Sequence, residues 1–196
     1  FWVSVAVTMI WIVGVCNAVN LIDGLDGLAV GVSSIASMSL LALTLISNNP
    51  NVAILTAAVA GAGFGFLPYN FNPAKIFMGD TGALFLGFIL ACISVQGFLK
   101  LSAIISFAVP FLMLGIPIFD ICFAIIRRLA KHQNPMKADR GHIHHRLIDM
   151  GFSQKQAVAI TYMLTAMLGL AAVVLTSSGE GRALILIGAV FVVGAI

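Results

Sequence analysis

Seven apolar runs divide the chain, near residues 1–16, 27–47, 52–68, 82–98, 101–126, 156–176 and 183–196. Most approach the roughly 20 residues that a helix needs to cross a bilayer. Hydrocarbon offers backbone N–H and C=O groups no water, so runs of this kind must satisfy their polar groups internally, as helices. The expected fold is therefore all-α: a polytopic transmembrane helix bundle of about seven spans, forming one membrane-embedded domain over 1–196. Composition agrees, because 61% hydrophobic and 9% charged residues with a mean hydropathy of +1.11 leave too little polar surface to cover a soluble globule. Cys16, Cys92 and Cys122 are scattered through apolar runs and cannot all pair, so they read as small buried side chains. Phe1 is no initiator methionine and the last run stops inside an apolar stretch, so the chain is expected to begin mid-protein and to be cut short at its end.

The connectors are of two kinds. SNNPN at 47–51, the stretch from Gly97 to Lys100, and SSGEGR at 177–182 are short turns with little chemistry. Asn17 to Asp26, Pro68 to Thr81 and Arg127 to Lys155 hold nearly all the ionisable groups. Two spans separate each rich connector from the next, so all three should face the same side. Lys75, Arg127, Arg128, Lys131, Lys137, Arg140, Arg146 and Lys155 lie on that side, with Lys100 and Arg182 opposite. By the positive-inside rule the shared side is the cytoplasm.

In the first connector, NAVNLIDGLDGLA, a continuous helix would rotate each successive polar group about 60° backwards and turn some of them toward lipid. Gly24 and Gly27 offer places for the helix to end or bend, so that Asp23 and Asp26 can turn toward one cavity, while Asn17 and Asn20 precede them. The plainer alternative is a capped helix end at the interface. In the second connector, LPYNFNPAKIFMGDTGALFLGF, Pro68 and Pro73 are expected to break the helix, and Asp80 precedes a new span. Asp80 there either caps that helix or, with Asn20 or Asp23, supplies oxygen ligands to a hard divalent ion. Lys75 suits phosphate, and Phe77 offers a face for stacking on a base.

The third connector carries seven lysines and arginines against Asp139 and Asp149, and so should attract a polyanion. A headgroup anchor accounts for Arg127, Arg128 and Lys131. It leaves His142, His144 and His145, flanked by Arg140 and Arg146, unexplained. With no cysteine near enough for a familiar zinc pattern, phosphate recognition is the preferred reading. Asp120, about two turns inside its span, suits a structural role at least as well as a catalytic one. Together these clusters ask for a divalent cation, several phosphates and a lipid-held reactant at one face, which fits phosphoryl-type transfer to a lipid. A carboxylate-lined ion or proton transporter competes, but it leaves the histidine segment unused. A purely structural membrane subunit needs neither Asp80 nor the histidines.

NAVNLIDGLDGLA, FNPAKIFMGDTGALFLGF and RGHIHHRL, in this order, resemble the polyprenyl-phosphate N-acetylhexosamine-1-phosphate transferases of glycosyltransferase family 4. The resemblance implies transfer of a sugar-1-phosphate from a UDP-sugar to undecaprenyl phosphate in the bacterial cytoplasmic membrane, releasing UMP, with Mg2+ or alternatively Mn2+. His-Ile-His-His-Arg at 142–146 is similar to the branch using UDP-GlcNAc to initiate teichoic acid, O-antigen or related glycans. The peptidoglycan branch, which transfers phospho-MurNAc-pentapeptide, is the alternative. By motif position, Asp80 is implied as the principal metal ligand with Asn20 beside it, and Asp23 as close to metal and diphosphate. Asp26 and Phe77 match uracil-holding positions. His142, His144, His145 and Arg146 match the loop at sugar and diphosphate, with His144 or His145 needed for activity, and Lys75 and Arg140 join the substrate contacts. A bilayer partner, no nucleic acid and the option of a homodimer follow.

Two departures stand out. The family's Asp-Asp pair occurs nowhere in this sequence, so the fragment alone is expected to be inactive. Ala83 stands where the family often has serine, which is expected to weaken polar contacts near the metal slightly.

Overall fold

A computed structural model describes residues 1–98, 103–130, 132 and 142–178. Eight helices make up its regular structure: α1 (Trp2–Ile22), α2 (Leu28–Ile46), α3 (Pro50–Asn70), α4 (Gly79–Phe98), α5 (Ala103–Met113), α6 (Gly115–Ala130), α7 (Ile143–Asp149) and α8 (Gln154–Ser178). No strand occurs among the described residues. Five helices, α1 to α4 and α8, are long and apolar enough to cross a membrane. The chain is thus a multi-pass membrane protein built as a helical bundle.

Helix α2 is the hub, with α3, α8 and α4 packed against it, while α1 packs on α4 and α6 and α5 lies against α8. One core joins these helices through Val15 and Val19 of α1, Leu40 and Leu43 of α2, Leu90 and Ile93 of α4, Met113 of α5 and Leu168 of α8. Two buried serines of α2 are accommodated in this core by returning their hydroxyls to their own helix: Ser34 donates to the Val30 carbonyl and Ser37 to that of Ser33. Small residues let helices approach closely. At Gly87 of α4 an added Cβ would lie 2.7 Å from the Cys16 Cα on α1. Outward, α1 exposes Trp2, Met9, Ile10 and Val13, the kind of surface a span presents to hydrocarbon.

Several expected boundaries move. Helix α1 continues past Cys16 to Ile22, placing Asn17 and Asn20 on helical turns rather than in a connector. Asn17 is tolerated there because its amide donates back to the Val13 carbonyl at 2.7 Å. Pro68 does not break α3, which runs on to Asn70, with Phe71 N–H still donating to Leu67 O. Pro68 removes the donor that the Phe64 carbonyl would use, and the helix ends two residues later at Asn70. Asp80 lies in the first turn of α4, which begins at Gly79. The single span expected over 101–126 is interrupted at Leu114. Pro117 has no N–H for the Met113 carbonyl and crowds it, which ends α5 and restarts the helix as α6. The expected run at 183–196 lies outside the described residues.

Candidate active site

The three rich connectors meet at one end of the bundle. Helix α1 ends at Ile22, where Asp23 leaves helical geometry at ψ 46°, and Gly27 turns the chain into α2 at φ +79°, a left-handed conformation that glycine adopts without strain. Gly27 N–H donates to Asn70 Oδ1 at 3.1 Å, and the Tyr162 hydroxyl of α8 donates to the Gly27 carbonyl. Asn70 is buried at the end of α3, and its amide donates onward to the Ile76 carbonyl at 2.9 Å. One carboxamide therefore ties the first connector to the second.

Across this junction, Asn20 Nδ2 donates to Asp80 Oδ1 at 3.2 Å, joining residues sixty positions apart. Asp23 stands close to both. Burial, and then the neighbouring negative charge of Asp80, push its carboxyl above the usual range. Two carboxylates and a carboxamide, whose oxygen and nitrogen exchange places by a half-turn, form an all-oxygen donor set. Among the described residues no group of three His, Cys, Asp or Glu side chains forms a metal cage. The donors fit a hard divalent cation that takes one or two carboxylates and fills its remaining positions with water or phosphate oxygen.

Asp26 faces the second connector. Its Oδ2 accepts from Asn72 Nδ2 at 3.0 Å and from Ala74 N–H at 3.1 Å, and Asn72 also donates to Gln154 Oε1 at 2.9 Å. The Lys75 and Ile76 N–H groups both return to the Tyr69 carbonyl, and Asn72–Pro73 is cis. The segment is thus tied down along its backbone while the side chains of Lys75 and Phe77 remain exposed, Phe77 at 75%. Ala83 is fully buried in the first turns of α4, so its methyl packs into the bundle.

The third connector is anchored by Asp120 of α6. His142 Nδ1 lies 2.9 Å from Asp120 Oδ2, and Ile143 N–H donates to Asp120 Oδ1 at 2.8 Å. A carboxylate only accepts, so Nδ1 carries the proton. Just beyond, the His144 ring lies parallel to that of His142, with centroids 5.8 Å apart, and 4.3 Å from that of His145. His144 is 3% exposed and presses on Gly24, where an added Cβ would meet its Nε2 at 2.5 Å. Burial first, and then His145, lower its pKa to about 4, so it is neutral near pH 7. His145 is half-buried and Arg146 exposed. Arg140 lies outside the described residues.

The predicted residues thus fall into two groups. Asn20, Asp23 and Asp80 converge, and His144 touches the same connector at Gly24, with Asp26 and His142 held in hydrogen bonds. Lys75, Phe77 and Arg146 stand exposed around them. Sequence reading missed Asn70, Asn72, Gln154 and the glycine socket. The only signal for the first two was a pair of carboxamides in YNFNP, at the end of an otherwise apolar run.

A multi-pass bundle with oxygen donors and a histidine segment gathered at one rim is a membrane protein with a polar site at the edge of the hydrocarbon. Its family is definite: the profile of glycosyl transferase family 4 matches residues 1–98, and the chain belongs to that family. It is 44% identical over 177 residues, 90% of this chain and 49% of the relative, to the probable undecaprenyl-phosphate N-acetylglucosaminyl 1-phosphate transferase of Bacillus subtilis. It is 31% identical over 209 residues, 97% of this chain and 52% of the relative, to the decaprenyl-phosphate N-acetylglucosaminephosphotransferase of Mycolicibacterium smegmatis. A phospho-N-acetylmuramoyl-pentapeptide-transferase of Staphylococcus epidermidis is 36% identical over 164 residues, 82% of this chain and 49% of the relative. The chain spans about half the length of these relatives.

Proposed function

We propose that the protein transfers N-acetylglucosamine-1-phosphate from UDP-GlcNAc to undecaprenyl phosphate, releasing UMP, at the cytoplasmic face of a bacterial inner membrane. The reaction would initiate a cell-envelope glycan. The observation that carries this reading is the Asn20–Asp80 contact at 3.2 Å, with Asp23 beside it, at the rim of a membrane bundle. The greater similarity to the B. subtilis transferase than to the S. epidermidis enzyme favours the GlcNAc donor. A transporter reading gives no reason for a histidine segment docked on the carboxylate connector.

In this mechanism an oxygen of the lipid phosphate attacks the β-phosphorus of the donor. The bond from that phosphorus to the bridging oxygen breaks, and UMP leaves with the electron pair. Asp80 and Asn20 would hold magnesium, or alternatively manganese, which neutralises charge on the diphosphate and leaving group when bound. Asp23 adds negative charge and hydrogen-bonding capacity beside these donors. Neutral His144 keeps the histidine segment seated on Gly24, so that Arg146 and His145 can face the diphosphate and sugar. Lys75 and Phe77 sit on a braced segment suited to phosphate and uracil, with Asp26 fixing that segment from behind. Positioning and charge stabilisation carry the catalysis.

Asp80→Asn in the complete gene product keeps the volume and the contact to Asn20 while removing the charge. Turnover at saturating magnesium should fall at least about 100-fold, the scale of a lost electrostatic stabiliser. Wild-type turnover in that variant would overturn the assignment of Asp80.

A further inference from the structure

Asp120 lies within α6, 3% exposed, where a carboxylate is costly unless its oxygens are occupied. Both are occupied by consecutive residues of one short segment: Oδ1 by the Ile143 backbone N–H at 2.8 Å and Oδ2 by the His142 ring at 2.9 Å. The first contact fixes where the segment starts, and the second fixes the plane of the His142 imidazole. That plane is the surface on which His144 lies, with only 3° between the rings. His144 in turn fills the space over Gly24, next to Asp23. A continuous relay of contacts therefore runs from α6 through two imidazoles to the connector that holds the acidic cluster.

We propose that Asp120 is a positioning residue: it seats the His142–Arg146 segment against the Asn20–Asp26 connector, and so sets where His145 and Arg146 face the reacting groups. The catalytic part of this proposal rests on the transferase reading above. The seating itself does not. Asp120 is buried with both oxygens engaged, and acts through His142 and the α7 backbone. Arginine or lysine in its place would put a positive charge beside the histidines, and alanine would remove the acceptor at His142 Nδ1. Asparagine keeps an oxygen for Ile143 N–H and offers its NH2 to Nδ1 of the other His142 tautomer, so it should preserve the seat.

The test uses the complete gene product in lipid nanodiscs, with each histidine's reaction with diethyl pyrocarbonate followed by mass spectrometry, beside transfer assays normalised to folded protein. In the wild type and in Asp120→Asn, His142 and His144 should react slowly and His145 faster. In Asp120→Ala, His142 and His144 should react about ten- to hundredfold faster, the factor expected when hydrogen bonds to a charged acceptor are lost. Turnover in Asp120→Ala should fall about 100-fold, as for a reacting group displaced by about 1 Å, and should return in Asp120→Asn. Should Asp120→Ala not accumulate folded, His142→Gln carries the test. It retains a donor for Asp120 and removes the ring beneath His144, so His144 must then become reactive. Unchanged protection of His142 and His144 in Asp120→Ala, or of His144 in His142→Gln, overturns the proposal. A wild type that protects both histidines but transfers nothing from UDP-GlcNAc overturns the transferase reading and leaves the seat standing.

Discussion

Replacing Gly24 by alanine should loosen the contact that joins the histidine segment to the acidic connector. The new Cβ would lie 2.5 Å from His144 Nε2, 3.1 Å from Cε1 and 3.3 Å from Cδ2, so it meets the ring and not a single atom. The ring has nowhere inexpensive to go, because it is buried between the rings of His142 and His145. Overpacking of this kind costs about 1–3 kcal/mol, against a gain of about 0.4–1 kcal/mol from the stiffer unfolded chain. The net expectation is about 1–2 kcal/mol of destabilisation from these two opposing effects. Gly14→Ala is the matched control, because Gly14 lies inside α1 with nothing within 4 Å of its added Cβ, and it should stabilise instead. Denaturant unfolding of both variants in detergent micelles would compare them, and His144→Ala in the Gly24→Ala background should remove the penalty. Gly24→Ala as stable as Gly14→Ala would refute the docking of His144 on this glycine.

Further expectations concern proton linkage and the buried bridges. Burial lowers the His144 pKa to about 4 from the ordinary histidine value of 6.5, so between these values the unfolded chain binds more protons and stability rises with pH. The contribution is complete above about pH 6.5 and is lost as the pH falls toward about 4. Unfolding free energies at pH 7 and pH 4.5 should therefore diverge less in His144→Asn than in the wild type, and equal pH dependence would contradict the assignment. Asn70→Ala strips partners from the Gly27 N–H and the Ile76 carbonyl, and should destabilise by about 1–3 kcal/mol. Thermal unfolding would measure this. Ser94→Ala removes the acceptor for the Trp11 indole N–H and should cost about 1 kcal/mol by the same measurement.

Five of the seven expected spans were legible because hydropathy and length are averaged over many residues, and no single residue decides them. Boundaries were less so, since they turn on local compensation: Asn17 stays helical through a bond to Val13, and Pro68 is absorbed by the end of α3. The sequence suggests Asp80 together with Asn20 or Asp23, and the structure brings the side chains of Asn20 and Asp80 within 3.2 Å. Asn70 was not foreseen, since a carboxamide at a helix end has many partners available and only the tertiary arrangement selects Gly27 and Ile76. His144 was read as a group acting on phosphate, with no hint that its ring is buried over Gly24. That role depends on a glycine far away in sequence, and no periodicity reports it. For Asp120 the sequence favours neither structure nor catalysis, and the structure shows both its oxygens bonded to the start of the histidine segment.

The central claim is the transfer of GlcNAc-1-phosphate to a polyprenyl phosphate, and its most direct measurement is lipid labelling. The complete gene product, in membranes supplied with undecaprenyl phosphate and magnesium, would be offered labelled UDP-GlcNAc and, separately, UDP-MurNAc-pentapeptide, with UMP release followed in parallel. Labelled lipid and matching UMP are expected from UDP-GlcNAc alone. Labelling only from the pentapeptide donor would contradict the donor assignment, and no labelling from either by verified folded protein would contradict the transferase reading itself.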